Sequence, residues 1–190
     1  SNTLLRDIVV FVNVIDRHPV RVMATEGISR NDLKKVQPML AAHNSVKYCE
    51  FLALFLIENK FLVSTGETYR ASHDFLDWIK DSQKAYTDIL TWWLRTADWN
   101  EEFVDGNVAH TEPAVTGLVP IAGMRRLVID ALRDMPHDRW CVESGFYEEV
   151  LPRIRQEVPR RGDPLSYDKH TRSNELVVES IVAESLCWLG

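Results

Sequence analysis

Hydrophobic residues recur every three or four positions through much of the chain, the spacing at which an amphipathic helix buries one face. This pattern predicts a first helix from about Thr3 to Arg17, which Pro19 ends. Residues 20–25 are rich in β-branched side chains and predict a short strand. Ser29, with an acid three residues later, is a favourable N-cap for a second helix, which Pro38 should shorten.

A third helix is predicted from position 44 or 45 to Asn59, because apolar side chains dominate this stretch. Two short strands around a tight turn at residues 66–67 then predict a β-hairpin. The order helix, strand, helix, helix, hairpin is that of a winged helix-turn-helix, here with an unusually short wing.

Two more helices are predicted after the hairpin. The first is short and is capped by Ser72, and the second runs from about residue 81 to residue 95. The inward side chains expected on the longer helix are Tyr86, Ile89, Leu90 and Trp93. These helices complete a predicted first unit over residues 3–96. Residues 97–119 contain acids and glycines without a clear period, and predict an acidic linker or loop.

The second half of the chain repeats this order in part. Pro120 predicts the start of a helix, and residues 139–142 are strand-like. The triplets at 36–38 and 150–152 both place valine two residues before proline, at matching places in the two runs. The predicted fold is therefore mostly α with short β-hairpins. It consists of two degenerate winged helix-turn-helix units joined by helices and a linker, the second unit covering residues 120–190.

The last predicted helix, within residues 175–190, occupies the third-helix position of this second unit. No hairpin follows it, so we expect the chain to be cut inside a unit. An incomplete unit leaves a strand edge and part of the closing helix uncovered, which is unfavourable. We therefore expect the first unit, or a second copy of the chain, to cover that edge. The second arrangement would be a homodimer.

The composition and the spacing of residues argue against a membrane span, a disulfide framework and a metal site. The apolar fraction is 45%, and the longest apolar run, residues 51–57, is far too short to span a membrane. Three widely spaced cysteines without a C-x-x-C motif predict neither a disulfide framework nor a zinc site, and they favour a reducing, cytoplasmic setting. The six histidines lack the spacing of metal ligands. No metal site and no cofactor is predicted.

Catalytic chemistry is not predicted either. No nucleophile is paired with a base in the sequence, and adjacent acids such as Glu101 and Glu102 do not converge on a helix. The phosphate-binding motif G-x-x-x-x-G-K-[ST] is also absent. The chain is therefore expected not to be an enzyme, whether or not a larger parent protein carries a helicase motor.

Charge is spread unevenly along the chain. The net charge of −6 opposes bulk attraction to a polyanion, and residues 97–112 hold five acids and no Lys or Arg. Residues 153–172, in contrast, hold six basic groups against three acids. The candidate nucleic-acid-binding residues are these six, together with one lysine of the third helix: Arg153, Arg155, Arg160, Arg161, Lys169, Arg172 and Lys47.

Several short motifs carry a family resemblance. They are HPVR at residues 18–21, Gly27 ahead of Asp32-Leu33, a tryptophan at position 140, and a closing WLG at residues 188–190. Together they resemble the helicase-associated winged-helix region of bacterial XPB-type (XPB/Ssl2 N-terminal-like) DNA helicase-related proteins. The resemblance spans most of the chain. It implies a winged-helix-rich accessory module without the helicase motor, whose ligand is DNA or a partner protein.

Two functions remain open at this point. The first is a non-catalytic accessory module that binds duplex DNA weakly and without sequence preference. The alternative is a protein-interaction or assembly module that has kept the winged-helix fold and lost DNA binding. Its partner would be another protein or the rest of a larger parent chain. Trp92 and Trp188 are the candidate partner-surface residues, since exposed tryptophans often anchor interfaces.

Overall fold

The computed structural model describes residues 3–23, 27–42, 45–99, 101, 120–136, 143–157 and 174–189, with the backbone alone at positions 143, 155 and 157. Within these ranges the protein is mostly helical, with eight helices and one short antiparallel β-hairpin. The helices are α1 Thr3–Arg17, α2 Arg30–Val36, α3 Val46–Glu58, α4 His73–Trp78, α5 Ser82–Arg95, α6 Ile121–Asp134, α7 Glu143–Glu157 and α8, residues 174–189. The strands are β1 Leu62–Thr65 and β2 Thr68–Ala71.

The chain divides into two compact units. Unit 1 consists of Ser1–Trp93 together with Trp188–Gly190, and unit 2 consists of Leu94–Cys187. Of the segment predicted as an acidic linker, only residues 97–99 and Glu101 are described, and they belong to unit 2. Glu101 is completely buried, so the start of this segment contributes to the interior of unit 2.

Unit 1 begins with the predicted order of elements, and local capping explains where its helices start. The Ser29 hydroxyl accepts a hydrogen bond from the backbone N–H of Asp32 at 3.2 Å, as the sequence pattern predicts for an N-cap. Ser45 caps α3 in the same way. α2 ends at Val36 and continues as a 3-10 turn that contains Pro38, which confirms the expected shortening.

The β-hairpin is closed by the predicted two-residue turn, with Thr65 and Thr68 paired across it. Residues 20–22 lie along the other side of β2. The N–H of Val22 donates to the carbonyl of Glu67 at 2.8 Å, and the N–H of Tyr69 donates to that of Val20 at 3.1 Å. β2 therefore lies between β1 and the segment that follows α1. The predicted strand over residues 20–25 is described as far as residue 23 and contains isolated bridges.

Gly66 in the hairpin turn has a φ of +73°, in the left-handed region that disfavours side chains. We expect Gly66→Ala to lower the free energy of unfolding by about 1 kcal/mol. Chemical denaturation monitored by circular dichroism measures this change. Gly27→Ala is the matched control, because a Cβ at either glycine meets open space. Equal effects of the two substitutions would show that the turn is not strained.

The core of unit 1 is built on one face of α1, and all five residues predicted for that face are buried: Leu4, Ile8, Phe11, Val12 and Ile15. On α5 the buried residues are Ala85, Ile89 and Trp93, at four-residue spacing. Leu90 is 42% exposed, so its predicted inward position is wrong. The reason is geometric, since Leu90 lies about 100° around the helix from Ile89.

The start of α4 also departs from the prediction. Ser72 occupies the N-cap position, but its hydroxyl makes no capping hydrogen bond. This hydroxyl oxygen is buried without a hydrogen-bond partner. The backbone N–H of Ser72 instead donates to the carbonyl of Phe61 at 2.9 Å, which continues the pairing of the hairpin.

Unit 2 is described through α6, α7 and α8 up to Cys187. Its buried apolar side chains follow helical spacing: Met124, Val128 and Ala131 on α6, Phe146, Val150 and Ile154 on α7, and Val177, Val178 and Ile181 on α8. The predicted strand at residues 139–142 lies outside the described residues. None of the helices described combines the length and hydrophobicity needed to cross a membrane.

Candidate nucleic-acid and protein interface

In the predicted winged-helix order α3 is the helix that would contact DNA, and seven of its thirteen residues are buried. Seven of its residues are buried: Tyr48, Cys49, Phe51, Leu52, Ala53, Phe55 and Leu56. At 100° per residue these positions cover about 200° of the helix circumference. Only a stripe of about 160° remains open to solvent or to a partner.

Aromatic rings cover one side of the buried sector. The Trp188 ring lies 5.5 Å from that of Tyr48 and 5.4 Å from that of Phe51, measured between centroids. The Trp92 ring lies 5.4 Å from Phe51 and 5.2 Å from Phe55. These distances are typical of favourable aromatic pairs. Both tryptophans therefore pack against α3 inside unit 1.

The two predicted partner-surface tryptophans differ in exposure. Trp188 is only 5% exposed, so its ring is part of the core of unit 1 and the prediction of a surface ring is wrong. Trp92 is half-buried, and its indole N–H donates to the carboxylate of Glu58. This hydrogen bond satisfies the polar end of Trp92, so the residue contributes to packing within the unit.

The open stripe of α3 offers little that could bind a base edge. Among its residues, Lys47 is the single cation, and the helix contains no Arg, Asn or Gln. The Glu50 carboxylate in the same stripe accepts from Nε of Arg30 at 2.8 Å. Apolar Leu54 is half-buried in this stripe. The stripe is thus mixed apolar and acidic, which is a poor match for DNA.

The hairpin is also a poor match for DNA. Glu67 is exposed in its turn and places an acid at the tip of the hairpin. Arg70 on β2 donates through Nη1 to the backbone carbonyl of Asp16 at 2.7 Å. An acid at the tip repels phosphate, and Arg70 is held against the C-terminal end of α1.

Of the six residues in the predicted basic cluster, the structure describes the side chain of Arg153 alone. Arg155 is described by its backbone, and Arg160, Arg161, Lys169 and Arg172 lie outside the described residues. Arg153 forms ion pairs with Glu149 on its own helix and with Asp134 of α6, the latter at 2.7 Å. The hydrogen bonds that Arg153 donates to Glu149 and then to Asp134 raise the pKa of its guanidinium above the usual range. Its charge is therefore already balanced.

Two buried polar networks were not predicted from the sequence. In unit 1, the carboxylate of Asp7 accepts from the backbone N–H groups of Ala41 and Ala42, each at 2.8 Å, and from the Tyr48 hydroxyl at 3.3 Å. Burial, followed by the charge of Asp7, raises the pKa of Tyr48 well above its usual range. This network connects residues 41 and 42 and the first turn of α3 to α1. In unit 2, buried Arg125 pairs with buried Glu101.

Helical spacing was the signal that could have found both networks. Asp7 follows Leu4 by three residues and precedes Phe11 by four, so it belongs to the buried face of α1. Arg125 precedes Val128 by three residues and is similarly placed on α6. A charged residue on an apolar face requires a partner in the interior.

The described residues offer no obvious reactive or metal-binding chemistry. Cys49 is fully buried, and desolvation raises the pKa of its thiol to about 12, which keeps it protonated. No group of three or more His, Cys, Asp or Glu side chains in the described ranges could hold a metal ion. Comparison with protein-family models, with curated proteins and with solved structures finds no match to this chain.

Proposed function

We propose that the chain is a non-catalytic accessory module that serves protein assembly, and that its first unit is a winged helix whose α3 is a scaffold rather than a DNA reader. The observation that carries this proposal is the covering of α3. A helix that reads the major groove must present polar side chains to base edges. Here the corresponding helix is buried over most of its circumference and is packed against Trp92 and Trp188.

The winged-helix assignment of unit 1 is supported by its pairing pattern as well as by its order of elements. In a winged helix the short strand after the first helix pairs with the hairpin. Residues 20–22 pair with β2 in this way, through the hydrogen bonds of Val20 and Val22. The resemblance to the helicase-associated region of XPB-type proteins supports a parent protein that acts in DNA transactions.

Charge on the described surface also favours a protein partner. Basic side chains alternate with acids that form ion pairs with them, so no broad positive face develops where they lie. The basic members of the described ion pairs outside the core are Arg30, Lys35, Arg70, Lys80, Lys84, Arg133 and Arg153. Exposed pairs of this kind contribute little to stability but do balance surface charge.

A second candidate function is weak binding of duplex DNA without sequence preference. The six basic residues between positions 153 and 172 favour it, because clustered cations bind phosphates and release counterions. The overall charge of −6 and the ion pairs of Arg153 oppose it. Binding through the cluster would not require α3, so the scaffold role of α3 is compatible with either outcome.

Fluorescence anisotropy with a labelled duplex at low salt distinguishes the two functions. Under the assembly proposal we expect the wild-type protein to bind duplex weakly or not at all, and the triple variant Arg160→Glu/Arg161→Glu/Arg172→Glu to behave identically. The matched control is Arg6→Glu/Lys34→Glu/Arg126→Glu, which changes three exposed cations by the same total charge. Equal loss in both variants would reflect net charge alone.

Two results would change the conclusion. Binding that is lost only in the 160/161/172 variant, and that weakens steeply with added salt, would establish the second candidate function. Sequence-preferring binding that Lys47→Glu abolishes would overturn the scaffold role of α3, because Lys47 is its single cation.

A further inference from the structure

The interior of unit 2 contains an ion pair that is completely shielded from solvent. The guanidinium of Arg125 on α6 and the carboxylate of Glu101 are both 0% exposed, with Nη2 and Oε2 separated by 2.8 Å. Nε of Arg125 also donates to both carboxylate oxygens, at 3.0 and 3.2 Å. The pair thus has the bidentate geometry that makes arginine–carboxylate contacts specific.

The same guanidinium also holds the backbone that follows α5. Its Nη1 donates to the carbonyl of Thr96 at 2.7 Å, and its Nη2 donates to the carbonyl of Trp99. One side chain on α6 therefore contacts three places within residues 96–101. Since guanidinium geometry is planar and rigid, these contacts form together only when that segment has one particular path.

A residue in an irregular turn of α8 also forms a hydrogen bond with this ion pair. Residues Ile181–Leu186 of α8 are π-helical, and within them Ser185 is completely buried. Its hydroxyl donates to Oε1 of Glu101 at 3.0 Å. π-Helical turns are rare, and they are found frequently at functional sites. Here the turn coincides with the residue that completes the polar network.

We propose that Glu101, Arg125 and Ser185 form a conformational lock in unit 2. The three side chains make all of their hydrogen bonds only when residues 96–101, α6 and the π-helical turn are correctly positioned together. When these hydrogen bonds break, the three segments become mobile in a single event. Desolvation cancels much of the attraction within a buried ion pair, so an apolar replacement of similar volume can be equally stable. The advantage of the pair is instead a single, defined arrangement of three chain segments.

Hydrogen exchange on the full chain, read residue by residue, tests whether opening is shared. Ser185→Ala is the mildest variant and should fold. We expect it to raise exchange by about tenfold or more in residues 181–186 and also in residues 96–101. A merely local role of the serine would raise exchange in the π-helical turn alone, and that result would overturn the lock.

Replacing the polar side chains by apolar ones tests whether the ion pair defines one arrangement of the chain segments or mainly stabilises unit 2. The variant Glu101→Leu/Arg125→Met/Ser185→Ala removes all three polar side chains of the lock. We expect its thermal midpoint to fall less than that of Glu101→Gln, because no unbalanced charge remains, while residues 96–101 lose their protection from exchange. Retention of the wild-type protection pattern would overturn the proposal. Glu101→Gln leaves the arginine charge unbalanced and should lower the midpoint by on the order of 10 °C.

An exposed ion pair on the same helix provides the control. Arg133 and Asp130 of α6 are 72% and 54% exposed and lie 3.3 Å apart. The variant Asp130→Leu/Arg133→Met should leave both the thermal midpoint and the exchange of residues 96–101 unchanged. If this control matches the lock variants, the effects belong to α6 as a whole, and the lock is excluded.

Discussion

Replacement of Trp188 by alanine is expected to lower the free energy of unfolding by about 3–5 kcal/mol. Its indole is 5% exposed and packs against the rings of Tyr48 and Phe51 on α3. Removal of so large a buried side chain forfeits its burial and leaves a cavity that the surrounding rings fill only in part. Thermal and chemical denaturation, with far-ultraviolet circular dichroism as the signal, measures the loss.

The matched control for this experiment is Leu176→Ala on the same helix, α8. Leu176 is 49% exposed, so its truncation should change the free energy of unfolding by less than about 0.5 kcal/mol. If Trp188→Ala proved as mild as this control, the indole would not be a core side chain. The prediction of Trp188 as a partner-surface residue would then return.

Helical periodicity and capping chemistry were sufficient to predict most elements of unit 1. The apolar stripe of α1, the N-cap Ser29 and the turn at Gly66 each depend on residues close together in sequence. Such signals depend on residues that are neighbours in the sequence, which is why they could be predicted from the sequence.

The errors concern packing between distant segments. Leu90 has an apolar side chain beside the buried stripe of α5, and only the finished structure decides that it faces outward. Trp188 was predicted at a surface because nothing near it in sequence reveals that its partners are Tyr48 and Phe51, more than 130 residues earlier. Burial of this kind depends on tertiary contacts, which local patterns do not encode.

For the candidate site, the sequence allowed the types of side chain to be predicted but not their contacts. The scarcity on α3 of polar side chains that could contact base edges is visible in the sequence, whereas the burial of seven of its residues required the structure. The role of Asp7 depends on a donor that lies 34 residues away, and that of Arg125 depends on an acceptor that lies 24 residues away. Their charged side chains on apolar faces indicated that interior partners were needed, but the partners themselves required the fold.

Asp7→Ala is expected to lower the free energy of unfolding by about 3 kcal/mol or more, because it removes the acceptor for several donors at once. The donors are the backbone N–H groups of Ala41 and Ala42, and the hydroxyl of buried Tyr48. Each buried donor left without an acceptor costs about 1–3 kcal/mol. Asp7→Asn keeps one acceptor oxygen and should lose roughly half as much.

Hydrogen exchange at Ala41 and Ala42 gives this prediction a readout that general destabilisation does not share. In Asp7→Ala these two amides should exchange faster by a larger factor than the amides of α1, because their direct acceptor has gone. Asp16→Ala is the control, since it removes an exposed carboxylate from the same helix with the same change in charge. Asp16 lies 4.0 Å from Arg70, and an exposed pair at that distance is worth less than about 1 kcal/mol. If the amides of Ala41 and Ala42 in Asp7→Ala accelerated only as much as the rest of unit 1, the carboxylate would not be what holds these two residues in place.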